Sequence, residues 1–120
     1  MKRLLLLVLL ALSMPSFADW GNVYYCEMTS YSMTTVKGER TDLALEKFTF
    51  KLDEPKQSVV FGKGGYFDGT VMEIGEDWYP VQEIWFAEGS YSMSWFEEGE
   101  FLYAKVFGNS ISVSANCGWF

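Results

Sequence analysis

The residue types that most often carry out catalysis are scarce in this chain. It contains no histidine, the commonest general base, and only two cysteines, Cys26 and Cys117. The remaining candidates are carboxylates, of which Glu97, Glu98 and Glu100 cluster in one charged turn. Paired carboxylates can serve a glycosidase or bind calcium, but the turn lacks the spacing of a calcium loop. We therefore predict a solvated hairpin tip, with no catalytic residue, metal or cofactor, and keep a carboxylate-dependent hydrolase as an alternative.

The two cysteines indicate a structural role. The chain has no Cys-x-x-Cys motif, and it has no histidine to complete a metal site. Two cysteines in an exported chain predict one disulfide, between Cys26 and Cys117. Such a bond would place the first and last strands of the domain side by side, which favours a closed all-β fold.

The start of the chain is typical of a secretory signal peptide. The predicted signal peptide covers residues 1–18. Lys2 and Arg3 precede a short leucine-rich run, and the segment ends in small residues. We expect cleavage before Asp19. The apolar run is roughly ten residues long, shorter than the about 20 that a membrane-spanning helix needs. The sequence thus predicts export to the bacterial periplasm or the extracellular space, with residues 19–120 forming a single β domain.

Charge limits the choice of partner. Without the predicted signal peptide the chain has seven basic and sixteen acidic residues, a net charge near −9. An acidic surface repels phosphate backbones, so we predict no binding to nucleic acid. From Gly64 onward Lys105 is the only basic residue, against nine carboxylates. A cationic partner would be steered to this half of the chain, although solubility alone also accounts for the acidic composition.

Alternating apolar residues and turn signals predict about eight short strands. They cover residues 23–36, 48–52, 58–61, 71–74, 81–87, 91–96, 101–106 and 111–117. The separators are rich in glycine and charged residues, as hairpin turns require, and residues 41–47 are the one place where a helical turn is plausible. The pattern is typical of a small antiparallel up-and-down β-barrel, or of a flattened two-sheet version of it.

Alternation along each strand predicts which side chains face inward. In residues 91–96 the large residues alternate with serines, and we expect the serines to face water. The same reasoning buries Val113 and Ala115 in the last strand, opposite serines that face outward. The predicted core contains Phe48, Phe50, Phe61, Phe86, Trp95 and Phe101.

The terminal Phe120 invites comparison with outer-membrane barrels, which often end in an aromatic residue. Counting back from it by twos gives Gly118, Asn116, Ser114 and Ser112, so polar groups would face the lipid. The strands are also shorter than the about 9 to 11 residues that a membrane span requires. We therefore predict a barrel that is not embedded in a membrane.

Aromatic residues form 18% of the chain, more than a core of this size requires. Those on the opposite parity or in loops are predicted to form an exposed binding surface: Tyr25, Trp78, Tyr79, Trp85, Tyr103 and Trp119. Such a surface suits a protein or a cell-wall partner, and the open end of a barrel suits a small apolar ligand. We therefore expect a small exported binding protein without enzymatic activity.

One loop and the two cysteines resemble those of a known family. Tyr24-Tyr25-Cys26, the late Cys117 and the segment Gly-Gly-Tyr-Phe-Asp-Gly at residues 64–69 resemble features of the small periplasmic inhibitors of C-type lysozyme. Those inhibitors are compact eight-stranded β-barrels with a disulfide, and the segment is similar to their Ser-Gly-x-x-Tyr loop without its serine. The resemblance implies a periplasmic inhibitor as an alternative function, for which an acidic face opposite a cationic lysozyme is suitable.

Overall fold

The computed structural model describes residues 22–75 and 84–119. They form nine strands and no helix: β1 Val23–Thr35, β2 Arg40–Asp42, β3 Lys47–Asp53, β4 Ser58–Phe61, β5 Val71–Ile74, β6 Ile84–Gly89, β7 Ser92–Glu97, β8 Glu100–Phe107 and β9 Asn109–Trp119. A helix with the length and hydropathy of a membrane span is not found in these two ranges. The predicted signal peptide, residues 1–18, lies outside them, as do the predicted site residues Trp78 and Tyr79.

The strands form a closed antiparallel barrel, as the sequence predicts. Neighbours follow the order β1-β3-β4-β5-β6-β7-β8-β9, and β9 pairs again with β1. The long strand β1 pairs with β9 almost throughout, with a shift of register between Met28 and Ser30. Residues 41–47, the one place where the sequence leaves a helical turn plausible, contain no helix and start in a ninth strand, β2, which pairs with the second half of β1.

A disulfide fastens the closure of the barrel. Cys26 and Cys117 lie directly opposite each other on β1 and β9, and the bond joins residues 91 positions apart. The predicted pairing is confirmed. A cross-link of this kind is typical of an oxidising, exported environment.

The space inside the eight strands is filled by aromatic side chains. Phe50 lies at the centre, and its ring centroid is between 4.8 and 6.1 Å from those of Tyr24, Phe61, Trp85, Phe96 and Phe101. The predicted core residues Phe48, Phe50, Phe61 and Phe101 are all buried, as are Val113 and Ala115 of β9.

The faces predicted for β6 and β7 are wrong. Phe86 and Trp95 point outward, whereas Trp85 and Phe96 are fully buried and stack with centroids 5.3 Å apart. These two large rings fill the interior beside β6 and β7. The next pair of inward-facing residues along the two strands is therefore small, Ala87 and Ser94. The serines of β7 therefore face inward.

Burial of a serine hydroxyl normally requires a hydrogen-bond partner. Ser94 is 2% exposed, and its Oγ donates to Sδ of Met72 at 3.5 Å. The inward position of this serine is thus chemically satisfied, which explains how a serine-rich strand face can lie inside the barrel.

Residues 62–70 form a loop, here called the mouth loop, that covers one end of the barrel. Phe67 from this loop is 1% exposed and packs against the rings of Phe48, Phe61 and Tyr103 at 4.5 to 4.8 Å. The loop is braced internally, because Asp68 Oδ1 accepts a hydrogen bond from the backbone N–H of Gly64 at 2.6 Å. The mouth loop therefore belongs to the core through its phenylalanine.

Candidate functional site

The reversed faces of β6 and β7 create an apolar surface on the outside of the barrel. Phe86, Trp95 and Leu102 are direct register partners across β6, β7 and β8, so they form one continuous outward row. In the next row Met93 lies opposite Ala104. We call these five residues the outer apolar face.

The outer apolar face is accessible to a partner. Met93 is 54% exposed and Leu102 is 53% exposed, Ala104 is also exposed, and Phe86 and Trp95 are partly exposed. Large apolar side chains grouped in this way on the surface of a protein typically mark an interaction site. The aromatic and methionine side chains are also the types enriched at protein interfaces.

Pairs of like charges border the outer apolar face on two sides. Glu97 lies opposite Glu100 in the outward row next to Phe86, Trp95 and Leu102, on the side away from Met93. Glu73 lies opposite Glu88 in the row that contains Met93. All four carboxylates are exposed. Like charges directly opposite each other across two strands are destabilising, so each pair raises the free energy of the unbound protein. A cationic partner would remove that repulsion.

The exposed aromatic surface predicted from sequence is only partly present. Trp85 is 0% exposed and Tyr103 is 4% exposed, so their prediction as surface residues is wrong, because both lie on inward positions of their strands. Tyr25 is 51% exposed and lines an open groove of about 590 Å³ outside β1, β3 and β9, beside the ion pair of Glu27 and Lys47 at 3.7 Å. Trp119 ends β9 opposite Tyr24.

The acidic cluster lies at a hairpin tip, as the sequence predicts. Glu97, Glu98 and Glu100 are exposed around the turn between β7 and β8, and Glu97 Oε1 accepts a hydrogen bond from Trp95 Nε1 at 3.1 Å. Within residues 22–75 and 84–119 no three carboxylates or cysteines are grouped as a metal site would require. The contact with Trp95 links the tip to the outer apolar face.

A second concave region lies at the mouth of the barrel. Tyr66 of the mouth loop and Tyr103 of β8 share a hydrogen bond between their hydroxyls at 3.1 Å, and Tyr31 of β1 packs against Tyr66 at 5.7 Å. Glu46 holds the loop in place, since its Oε1 accepts the backbone N–H of Tyr66 at 2.9 Å. The position of Tyr66 is therefore fixed at its backbone and at its hydroxyl.

The tyrosines of the mouth predict a loss of stability at alkaline pH. Burial, and then the hydrogen bond with Tyr103, raises the pKa of Tyr66 above its usual value of about 10; burial and the nearby Glu46 raise the pKa of Tyr31. A raised pKa in the folded state gives stability that is present below pH 10 and is lost as the pH rises above it. We expect the melting temperature to fall above pH 10, and to fall less in Tyr66→Phe. Equal slopes in both proteins would contradict this.

Comparison with protein-family models, with curated proteins and with solved structures finds no match to the chain.

Proposed function

We propose that this chain is a small exported binding protein, without enzymatic activity, whose outer apolar face docks a cationic protein. The observation that carries the proposal is the outward row Phe86, Trp95 and Leu102 between two pairs of like-charged glutamates. Apolar contacts would supply affinity, and the carboxylates would steer a basic partner and select it against acidic ones.

The filled interior supports a surface site over an internal one. Ligand-carrying barrels need interior space, whereas Phe50, Trp85 and Phe96 occupy the centre of this barrel in mutual contact. A small apolar ligand at the open end would also have to displace Phe67, which is 1% exposed. A partner bound on the outside requires neither change.

Binding to basic proteins tests the proposal. In isothermal titration calorimetry at low ionic strength, we expect members of a panel of small basic proteins to bind this protein. Acidic proteins of the same size should not bind it. Affinity should fall as salt is added, because the carboxylates are exposed and screened. A panel without binders, or equal binding of the acidic proteins, would contradict the proposal.

A matched pair of substitutions locates the site. Leu102→Ser on the outer apolar face is expected to weaken binding about tenfold or more, since buried leucine contacts at an interface contribute over 1 kcal/mol. Leu45→Ser is the control, because Leu45 is 59% exposed against 53% for Leu102 but lies in the loop between β2 and β3. If both variants bind alike, the outer apolar face is not the site.

C-type lysozyme belongs in the panel because it is cationic and because the sequence resembles its periplasmic inhibitors. We expect inhibition, if the protein acts in that way, to appear as slower hydrolysis of cell walls at an excess of the protein. Unchanged hydrolysis would remove the inhibitor alternative and leave the docking of other basic proteins to be tested.

Replacing Glu97, Glu98 and Glu100 by glutamine tests the hydrolase alternative, because any intrinsic hydrolysis should then disappear while the fold survives.

A further inference from the structure

The inward face of β7 and β8 opens at the mouth of the barrel into a polar pocket. Its volume is about 280 Å³, and its lining includes Tyr66, Thr70, Ser90, Ser92, Tyr103 and Lys105. Five of these six side chains end in a hydroxyl and the sixth is an ammonium group. The pocket lies on the opposite side of β7 and β8 from the outer apolar face, so the two sites are independent.

Lys105 is an unusual residue at this position. It follows the buried Phe101 and Tyr103 on the inward side of β8, is half-buried, and lies directly opposite Ser92 on β7. In the part of the chain that the structure describes, no carboxylate lies within 4.0 Å of its ammonium group, although acidic residues outnumber basic ones. The one cation that follows residue 64 therefore faces hydroxyls rather than a counter-ion.

The hydroxyls of the pocket retain protons to donate. In the hydrogen bond between Tyr66 and Tyr103 one hydroxyl donates, and the accepting hydroxyl keeps its own proton for another partner. Burial raises the pKa of Tyr66, so this phenol stays protonated throughout the physiological range. Ser92 adds a further hydroxyl beside Lys105. The Glu46 carboxylate accepts from the backbone of Tyr66 and does not line the pocket.

We propose that this pocket binds the oxyanion of a small ligand, a carboxylate or a phosphate, between the Lys105 ammonium and the hydroxyls of Ser92 and of the Tyr66–Tyr103 pair. An ammonium group with hydroxyl donors around it is the donor set that such anions require, and charge-assisted hydrogen bonds are the strong ones. Binding would also supply the counter-ion that Lys105 lacks among the described residues. The pocket volume of about 280 Å³ accommodates the anion together with a small organic group.

Titration with inorganic phosphate and with acetate, each at constant ionic strength and followed by two-dimensional amide NMR, tests the proposal. We expect saturable shifts at Ser92, Tyr103 and Lys105. Tighter binding of phosphate would identify a phosphate-bearing ligand, and tighter binding of acetate a carboxylate; either result supports the site. Shifts that do not saturate with either anion would overturn it.

Two lysine variants separate the pocket from the general effect of charge. Lys105→Met should lower the affinity at least tenfold, whereas Lys51→Met, which removes an exposed lysine from β3, should leave it unchanged. Retained affinity in Lys105→Met, with a spectrum that shows the fold intact, would overturn the proposal, as would an equal loss in Lys51→Met. Neither anion is expected to compete with a basic protein at the outer apolar face, so failure here leaves the proposed function standing.

Discussion

Replacing Cys26 and Cys117 together by serine is expected to lower the free energy of unfolding by about 4 to 5 kcal/mol. The disulfide closes a loop of 91 positions, and the chain-entropy model gives this value for a loop of that length. For a domain of about 100 residues such a loss corresponds to a fall in melting temperature on the order of 20 °C. Thermal unfolding followed by circular dichroism measures the difference.

The matched control replaces both cysteines by alanine. Cys26 is 2% exposed, so a serine hydroxyl at this position adds a cost of burial that alanine lacks. The alanine pair therefore isolates the contribution of the cross-link, and reduction of the native protein should reproduce its melting temperature. If the double-alanine variant has the same melting temperature as the native protein, the disulfide does not stabilise the barrel.

Phe67→Ala is expected to destabilise the protein by about 3 to 5 kcal/mol, the usual cost of deleting a buried phenylalanine ring. Phe67 comes from a loop, yet its ring stacks on Phe61 at 4.5 Å and meets Phe101 edge-on at 5.9 Å. Its removal would open the end of the barrel that the mouth loop covers. Urea unfolding measures the change as a lower midpoint.

Phe107→Ala provides the control for this substitution. Phe107 is 64% exposed and contacts the exposed Tyr91 at 4.8 Å, so its loss should cost less than about 1 kcal/mol. The two variants remove the same atoms, and only their burial differs. Similar costs for both would show that the mouth loop does not contribute its phenylalanine to the core.

The order of the strands could be predicted from sequence because two local signals agree along most of the chain. Residues 58–61 and 71–74 are bounded by turn residues, and the structure begins and ends β4 and β5 at these positions. The two cysteines then indicated which strands close the barrel. The strand β2 could not be predicted, since all three of its residues are exposed and carry no apolar alternation.

The face of a strand that is buried is harder to predict from sequence than the order of the strands. Alternation in the sequence shows that successive side chains of a strand point to opposite faces, but it does not show which face is buried. In β7 each face contains a large aromatic residue, and the volume available inside the barrel decides which face is buried. Stacking of Trp85 on Phe96 leaves room only for small residues at the next level, which selects Ser94 over Met93 or Trp95. The outer apolar face and the hydroxyls of the mouth both follow from this choice, so neither could be predicted from β7 alone.

The pairing of β1 with β9 determines when the protein can fold. Among the described strands β1 is made first, and it needs both β3 and β9 as neighbours, so its pairing is incomplete until β9 is present. Contacts between such distant segments form slowly, typically in milliseconds to seconds for β topologies. Until then the free edges of β1 and of β8 can pair with other chains. Closure of the barrel thus requires the last strand, and a chain that still lacks β9 leaves the edges of β1 and β8 unpaired.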